Sequence, residues 1–146
     1  MKNPEPPIIV EQHFSTGIYT VWQAITQPGQ MRQWFFENME DFSPQVGFET
    51  QFNVETPGGD FLHLWKITEV EPMRKIVYDW RYGGYPGDSS VTFELFEAKG
   101  GTTLRLTHEG IESFPQEVPE FSRESCAGGW HYFIQERLPA FVERKK

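Results

Sequence analysis

Five runs of alternating apolar and polar residues follow one another through the middle of this chain, and they restrict its fold more than any other feature. They span 48–55, 61–70, 75–82, 91–98 and 102–109. Between them stand Pro57-Gly58-Gly59, Glu71-Pro72, Gly83-Gly84-Tyr85-Pro86-Gly87 and Lys99-Gly100-Gly101, which are turn signals. Gaps this short leave no room for crossover helices. Successive strands must therefore pair as hairpins in an antiparallel meander.

Helical periodicity brackets this meander. Ahead of it, residues 8–14 alternate as a first strand, with Ile8, Val10, Gln12 and Phe14 on one side and Ile9, Glu11 and His13 on the other. Ser15 or Thr16 then caps a helix bearing Ile18, Val21, Trp22 and Ile25, which Pro28 ends. A second short helix over 29–36 presents Met31, Trp34 and Phe35. Behind the meander, residues 120–146 repeat Cys126, Trp130, Phe133, Ile134, Leu138, Phe141 and Val142 at three- and four-residue steps, the pattern of a long helix with one buried face. The pair Gly128-Gly129 costs that helix roughly 1 kcal/mol per glycine, so close packing or an open space is expected beside it. Strands and helices are segregated, which makes the fold α+β. One domain is expected across residues 1–146, with 1–7 a proline-rich lead-in.

Alternation also says which side chains face the helices. Phe48, Thr50, Phe52 and Val54 share a side, as do Ile76, Tyr78, Trp80 and Tyr82. Val91, Phe93 and Leu95 form a third set, and Leu104, Leu106 and His108 a fourth. In the run 61–70 both faces carry apolar residues; Phe61, His63, Trp65 and Ile67 are read as inward, Leu62 and Leu64 as outward. Asp60, Glu69 and Glu71 are read as solvated charges.

Charge and composition exclude several functions. Net charge is −8, from 13 basic against 21 acidic residues, the wrong sign for neutralising phosphates or docking on anionic membranes. No run approaches the roughly 20 apolar residues of a membrane span, and the N-terminus has no signal-peptide pattern. The single cysteine rules out an internal disulfide and fits a reducing compartment, so a cytoplasmic protein is expected.

The order β-α-α-β(5)-α, with its motifs, resembles the helix-grip fold of the START-like (SRPBCC) superfamily, and within it the AHSA-type homologues of the Hsp-90 ATPase activator. The resemblance lies in Val21-Trp22-Gln23-Ala24-Ile25-Thr26 with Trp34, in Ile67-Thr68-Glu69-Val70-Glu71-Pro72 with Ile76-Val77-Tyr78-Asp79-Trp80, in Ser90-Val91-Thr92-Phe93-Glu94-Leu95 followed by Thr102-Thr103-Leu104-Arg105-Leu106-Thr107-His108, and in Gly128-Gly129-Trp130 opening the last helix. It implies a curved antiparallel sheet of about six strands wrapped on the C-terminal helix, with a cavity between them for an apolar small molecule.

The candidate site is aromatic. Trp34, Phe52, Trp65, Tyr78, Trp80, Phe93 and Trp130 are expected to point between sheet and helix, with His63, Tyr78 and His108 as polar groups and Arg137 reaching an anionic head group. The alternative is that the same rings fill a packed core. His108 is read as a hydrogen-bonded structural residue and His131 as pointing away from whatever Trp130 packs on. No H-E-x-x-H or C-x-x-C motif marks a metal site, no cofactor fingerprint occurs, and Cys126 reads as core. Three functions follow: a non-enzymatic binder of a small hydrophobic or amphipathic molecule, a chaperone-regulating or stress-related interaction protein, and a cavity enzyme (cyclase, dehydratase or hydrolase) using His108, His63 or Tyr78. Monomer and homodimer both remain open.

Overall fold

The alternating runs become one six-stranded antiparallel sheet. Its strands are β1 (Ile8–Phe14), β2 (Glu49–Thr56), β3 (Gly59–Glu71), β4 (Lys75–Tyr82), β5 (Ser89–Ala98) and β6 (Gly101–Glu109), in the spatial order β1-β6-β5-β4-β3-β2. The computed structural model describes residues 6–39, 41–56 and 59–145. Most of the proline-rich lead-in, and Pro57-Gly58 of the β2–β3 turn, lie outside the described residues. Strands β2 to β6 form the meander, each paired with its sequence neighbour. β1 closes the far edge against β6, with Ile8 opposite His108 and Phe14 opposite Thr102.

Each strand turns the face its alternation assigns toward the core, although in β2 only Phe52 is buried and Thr50 and Val54 are half-buried. Phe61, His63, Trp65 and Ile67 of β3 are buried, while Leu62 and Leu64 are half-buried on the other side. Pairing with β4 then slips between Ile67 and Glu69, a β-bulge. The bulge explains why the alternation blurs there: Val70, three residues beyond Ile67, is half-buried against the core. Bulges bend a strand and increase its twist, and the sheet is curved. Glu69 and Glu71 lie on the solvated face, both reaching Lys75, at 2.6 and 3.4 Å.

Four helices cover the buried face. α1 (Ile18–Thr26) and α2 (Pro28–Trp34) follow β1; α3 (Arg123–Tyr132), a π-helical turn (Phe133–Arg137) and α4 (Leu138–Lys145) run on from one another as the C-terminal helix. Three boundaries differ from the sequence expectation. The N-cap of α1 is Gly17, which has no side chain to cap with; Thr16 stands one residue ahead of it, its carbonyl accepting from Thr102 Oγ1 at 2.8 Å. Pro28 opens α2 as well as closing α1, since a proline fits the first helical position, where its missing N–H costs nothing. The C-terminal helix begins at Arg123, where Ser122 Oγ accepts from the Ser125 N–H at 3.2 Å, and residues 119–121 form a separate 3-10 turn.

Trp34 joins α2 to α1, its indole N–H donating to the Ala24 carbonyl at 2.7 Å. The helical face predicted for the C-terminal segment packs on the sheet, with Trp130, Ile134, Leu138, Phe141 and Val142 buried and Cys126 and Phe133 partly so.

One close approach is decided by backbone alone. A Cβ on Gly101, in the β5–β6 hairpin, meets the Phe14 carbonyl oxygen at 1.9 Å, so the end of β1 lies where a side chain would be. Gly101→Ala is expected to destabilise the protein by about 3 kcal/mol, through forced separation of the two strands. Urea denaturation is the check, with Gly128→Ala, where a Cβ meets nothing within 4 Å, as the tolerated control.

Candidate functional site

Two histidines on the buried face of the sheet meet the C-terminal helix, and their hydrogen bonds fix their chemistry. The Trp130 indole N–H donates to His108 Nδ1 at 3.0 Å. An indole can only donate, so Nδ1 is unprotonated and the neutral ring carries its proton on Nε2. Nε2–H then donates to Ser89 Oγ at 2.9 Å, and the Ser89 hydroxyl donates to the Trp80 carbonyl at 2.8 Å. This chain crosses from α3 through β6 and β5 to β4. Burial depresses the His108 pKa to about 3. His108 is thus a structural residue with both nitrogens engaged, and neither is left for general acid–base work on a guest.

His63 differs. Its Nδ1 lies 3.1 Å from the Phe61 carbonyl, which can only accept, so Nδ1 carries the proton and Nε2 is left as an acceptor. Burial, only partly offset by that hydrogen bond, lowers its pKa to about 4. Nε2 has no partner among the described residues.

Beside these rings lies a pocket of about 120 Å³, half open to the surface. Trp80, Tyr82, His63 and His108 form its sheet wall, Trp130, Cys126 and Gly129 its helix wall, and Phe36, Phe133 and Glu120 its half-buried rims. Of the ten candidate residues, His63, Trp80, His108 and Trp130 converge here. Trp34, Phe52, Trp65, Tyr78 and Phe93 are buried in the ring cluster behind it, with Trp65 5.0 Å from Trp80 and 4.9 Å from Tyr78, centroid to centroid. Arg137 is exposed and borders a separate surface groove. Most of the aromatic constellation is therefore filled core, with one small void at its edge.

Sequence reading missed six of the lining residues as a site. Tyr82 and Phe133 lay on the inward faces already assigned, and Gly129 was marked by its cost to the helix. A Cβ there meets nothing within 4 Å, so the glycine borders open space rather than a close contact. Cys126, in α3, lay on the helical face read as buried, and Glu120 owes its place to the 3-10 turn ahead of α3. Phe36 gave no signal, because it stands beyond the end of α2.

The pocket interior is uncharged at neutral pH. Both histidines are neutral, burial raises the Cys126 thiol to about 11, and burial, then nearby Cys126, pushes the Tyr82 hydroxyl up against a small opposing contribution from the Trp80 indole. Glu120, held by Thr56 Oγ1 at 3.2 Å, brings the charge at the rim. The buried Trp65 Nε1, Tyr78 hydroxyl and Trp80 Nε1 have no partner in hydrogen-bonding geometry. Among the described residues, no three His, Cys, Asp or Glu side chains are grouped to hold a metal ion. No described helix is long and apolar enough to cross a membrane.

A pH dependence follows from the neutral histidines. Their folded pKa values, about 4 and about 3, lie below the ordinary 6.5. The unfolded chain therefore binds more protons once the pH drops below 6.5. Their contribution is fully present above that value and is lost as the pH falls toward 4 and 3, with a slope of about 1.4 kcal/mol per pH unit for each ring. Thermal unfolding between pH 7 and 4 should show this loss, and His63→Phe should remove about half of the slope over that range. Trp130→Phe strips His108 Nδ1 of its donor and is expected to cost about 2 kcal/mol at pH 7.

Comparison with known proteins agrees with this architecture. No curated protein matches the chain. A Chromobacterium violaceum protein of known structure is 24% identical, with a TM-score of 0.78, covering 94% of this chain and 97% of its own. A Mesorhizobium loti protein is 28% identical, with a TM-score of 0.74 and coverage of 96% and 98%. DynU16, a protein in the dynemicin biosynthetic locus, is 22% identical with a TM-score of 0.76; the match takes in 98% of this chain but only 49% of DynU16. The family model described as "Activator of Hsp90 ATPase homolog 1-like protein" matches residues 15–143. With nearly its whole length matched and its sheet wrapped on a C-terminal helix, the chain belongs to that family, the AHSA-type branch of the START-like helix-grip fold.

Proposed function

We propose that this protein binds a small, uncharged, ring-sized apolar molecule in the cavity between the sheet and α3, without transforming it. The observation that carries this reading is the void itself: about 120 Å³ bordered by the rings of Phe36, Trp80, Trp130 and Phe133. An apolar cavity of roughly 150 Å³ holds benzene, whereas sterol-sized or drug-sized guests need roughly 300–1,000 Å³. The guest that fits is a single ring or a short chain.

The lining sets its polarity. An anion buried here would meet no cation and would face the Glu120 carboxylate at the rim, at a cost of several kcal/mol. His63 Nε2 accepts a hydrogen bond, so a guest with one hydroxyl gains over its bare hydrocarbon. Gly129 keeps the helix side open at about 1 kcal/mol of helix propensity, and a pocket gives that cost a purpose.

Calorimetric titration with phenol and benzene tests the reading. Phenol is expected to bind about tenfold more tightly, and His63→Phe to erase the difference while both still bind. Gly129→Leu should place its side chain in the void and lose both ligands with the fold intact. If neither compound binds, and native mass spectrometry of protein from its own cells shows no co-purifying guest, the void is a packing defect and the chaperone-directed reading of the family takes precedence.

A further inference from the structure

Two cavities of this molecule share one side chain. The Phe36 ring borders the inner pocket and also one end of a surface groove of about 600 Å³, whose walls include Phe35, Val54 and Arg137. Phe36 lies between the end of α2 and the start of β2, in a connection whose described residues carry no helix or strand. The ring is half-buried and packs on Phe35, Phe52, Phe133 and His63 at centroid distances of 4.7, 5.0, 5.1 and 5.2 Å, with Trp65 and Trp80 at 6.0 and 6.2 Å, so moving it exchanges one set of ring contacts for another.

The π-helical turn addresses both spaces. Phe133, its first residue, borders the inner pocket, and Arg137, its last, borders the groove. Such turns interrupt α-helices mostly at functional sites. The Arg137 guanidinium donates to the Gln33 carbonyl at 2.7 Å and to the Tyr132 hydroxyl at 3.3 Å. Five N–H groups are available to it, and no described carboxylate forms an ion pair with it. Arg32, in the same groove, donates to the Met39 carbonyl at 3.0 Å.

We propose that Phe36 is a movable partition, and that with it swung aside the joined site takes an arylalkyl carboxylic acid, its ring in the inner pocket and its carboxylate on Arg137. This rests on the pocket reading above. The inner pocket offers an anion no cation, since both histidines there are neutral, so a charged head must lie outside it. Arg137 presents planar paired donors suited to a carboxylate. The exposed Glu37 and Glu55 in the same groove offset the charge of Arg32 and Arg137, so attraction to a carboxylate rests on paired hydrogen bonds to the guanidinium rather than on net charge. Joining the two spaces brings the site into the ordinary range for ligand pockets.

The test uses three probes in calorimetric titration: phenol for the inner pocket, and 4-phenylbutyrate with its neutral counterpart 4-phenylbutanol for the joined site. The wild-type protein is expected to bind 4-phenylbutyrate about tenfold more tightly than 4-phenylbutanol. Arg137→Gln should erase that preference and leave phenol unaffected. Phe36→Trp should enlarge the partition and weaken both long ligands at least tenfold more than it weakens phenol, whose pocket the same ring borders. Survival of the carboxylate preference in Arg137→Gln, or undiminished binding of the long ligands to Phe36→Trp, overturns the inference. Failure of phenol to bind the wild type strikes the pocket reading itself, and the inference falls with it.

Discussion

The hydrogen-bond chain from Trp130 through His108 and Ser89 to the Trp80 carbonyl is the constraint on which the rest of the structure depends. Hydrophobic burial brings the C-terminal helix to the sheet but sets no rotation or register, because it has no direction. Three directional bonds do. They tie α3 to three neighbouring strands and leave each donor and acceptor of the His108 ring matched. Since the ring is buried, losing one partner costs more than forming the bond gained.

That clamp also shapes the pocket. Trp130 and His108 stand in one wall, and Trp80, whose carbonyl ends the chain, stands in the same wall. The void opens where Gly129 supplies no side chain next to the clamped Trp130. Rigidity on one side and a missing side chain on the other suit a small rigid guest. On the opposite rim Phe36 and Phe133 meet through ring contacts, which lack the directional restraint of the clamp. One edge of the cavity is thus fixed by hydrogen bonds and the other by packing alone.

Much of this was legible in the residues. Period-two alternation in Ile76, Tyr78, Trp80 and Tyr82 named a buried face, and all four are buried. Periodicity and turn residues supplied the order of elements, and the family resemblance the helix-grip arrangement. Boundaries were less legible, for physical reasons. Thr16 is a good capping residue on propensity, yet it stands one residue ahead of the cap, its carbonyl accepting from Thr102, a partner 86 positions away. Glu120 fits a helical pattern, but Ser122 Oγ accepts from the Ser125 N–H and starts the helix later. The β3 bulge sits where Phe61, His63, Trp65, Ile67 and Val70 stop alternating, a signal readable only once the partner strand is known.

The sequence by itself determined the meander, the inward faces, the segregation of helices from strands and the aromatic character of the interior. Those are local: they follow from side-chain period, turn residues and composition. Which of the rings border a void was decided by tertiary structure, because a void is a difference between the volume that the elements enclose and the volume that side chains occupy. Trp34, Phe52, Trp65, Tyr78 and Phe93 proved to be filling, while His63, Trp80, His108 and Trp130 border the small space that remains. Sequence could not separate those two groups, since both share the same faces and the same chemistry. Only the packing of α3, with its π turn and its glycine, sets one apart from the other.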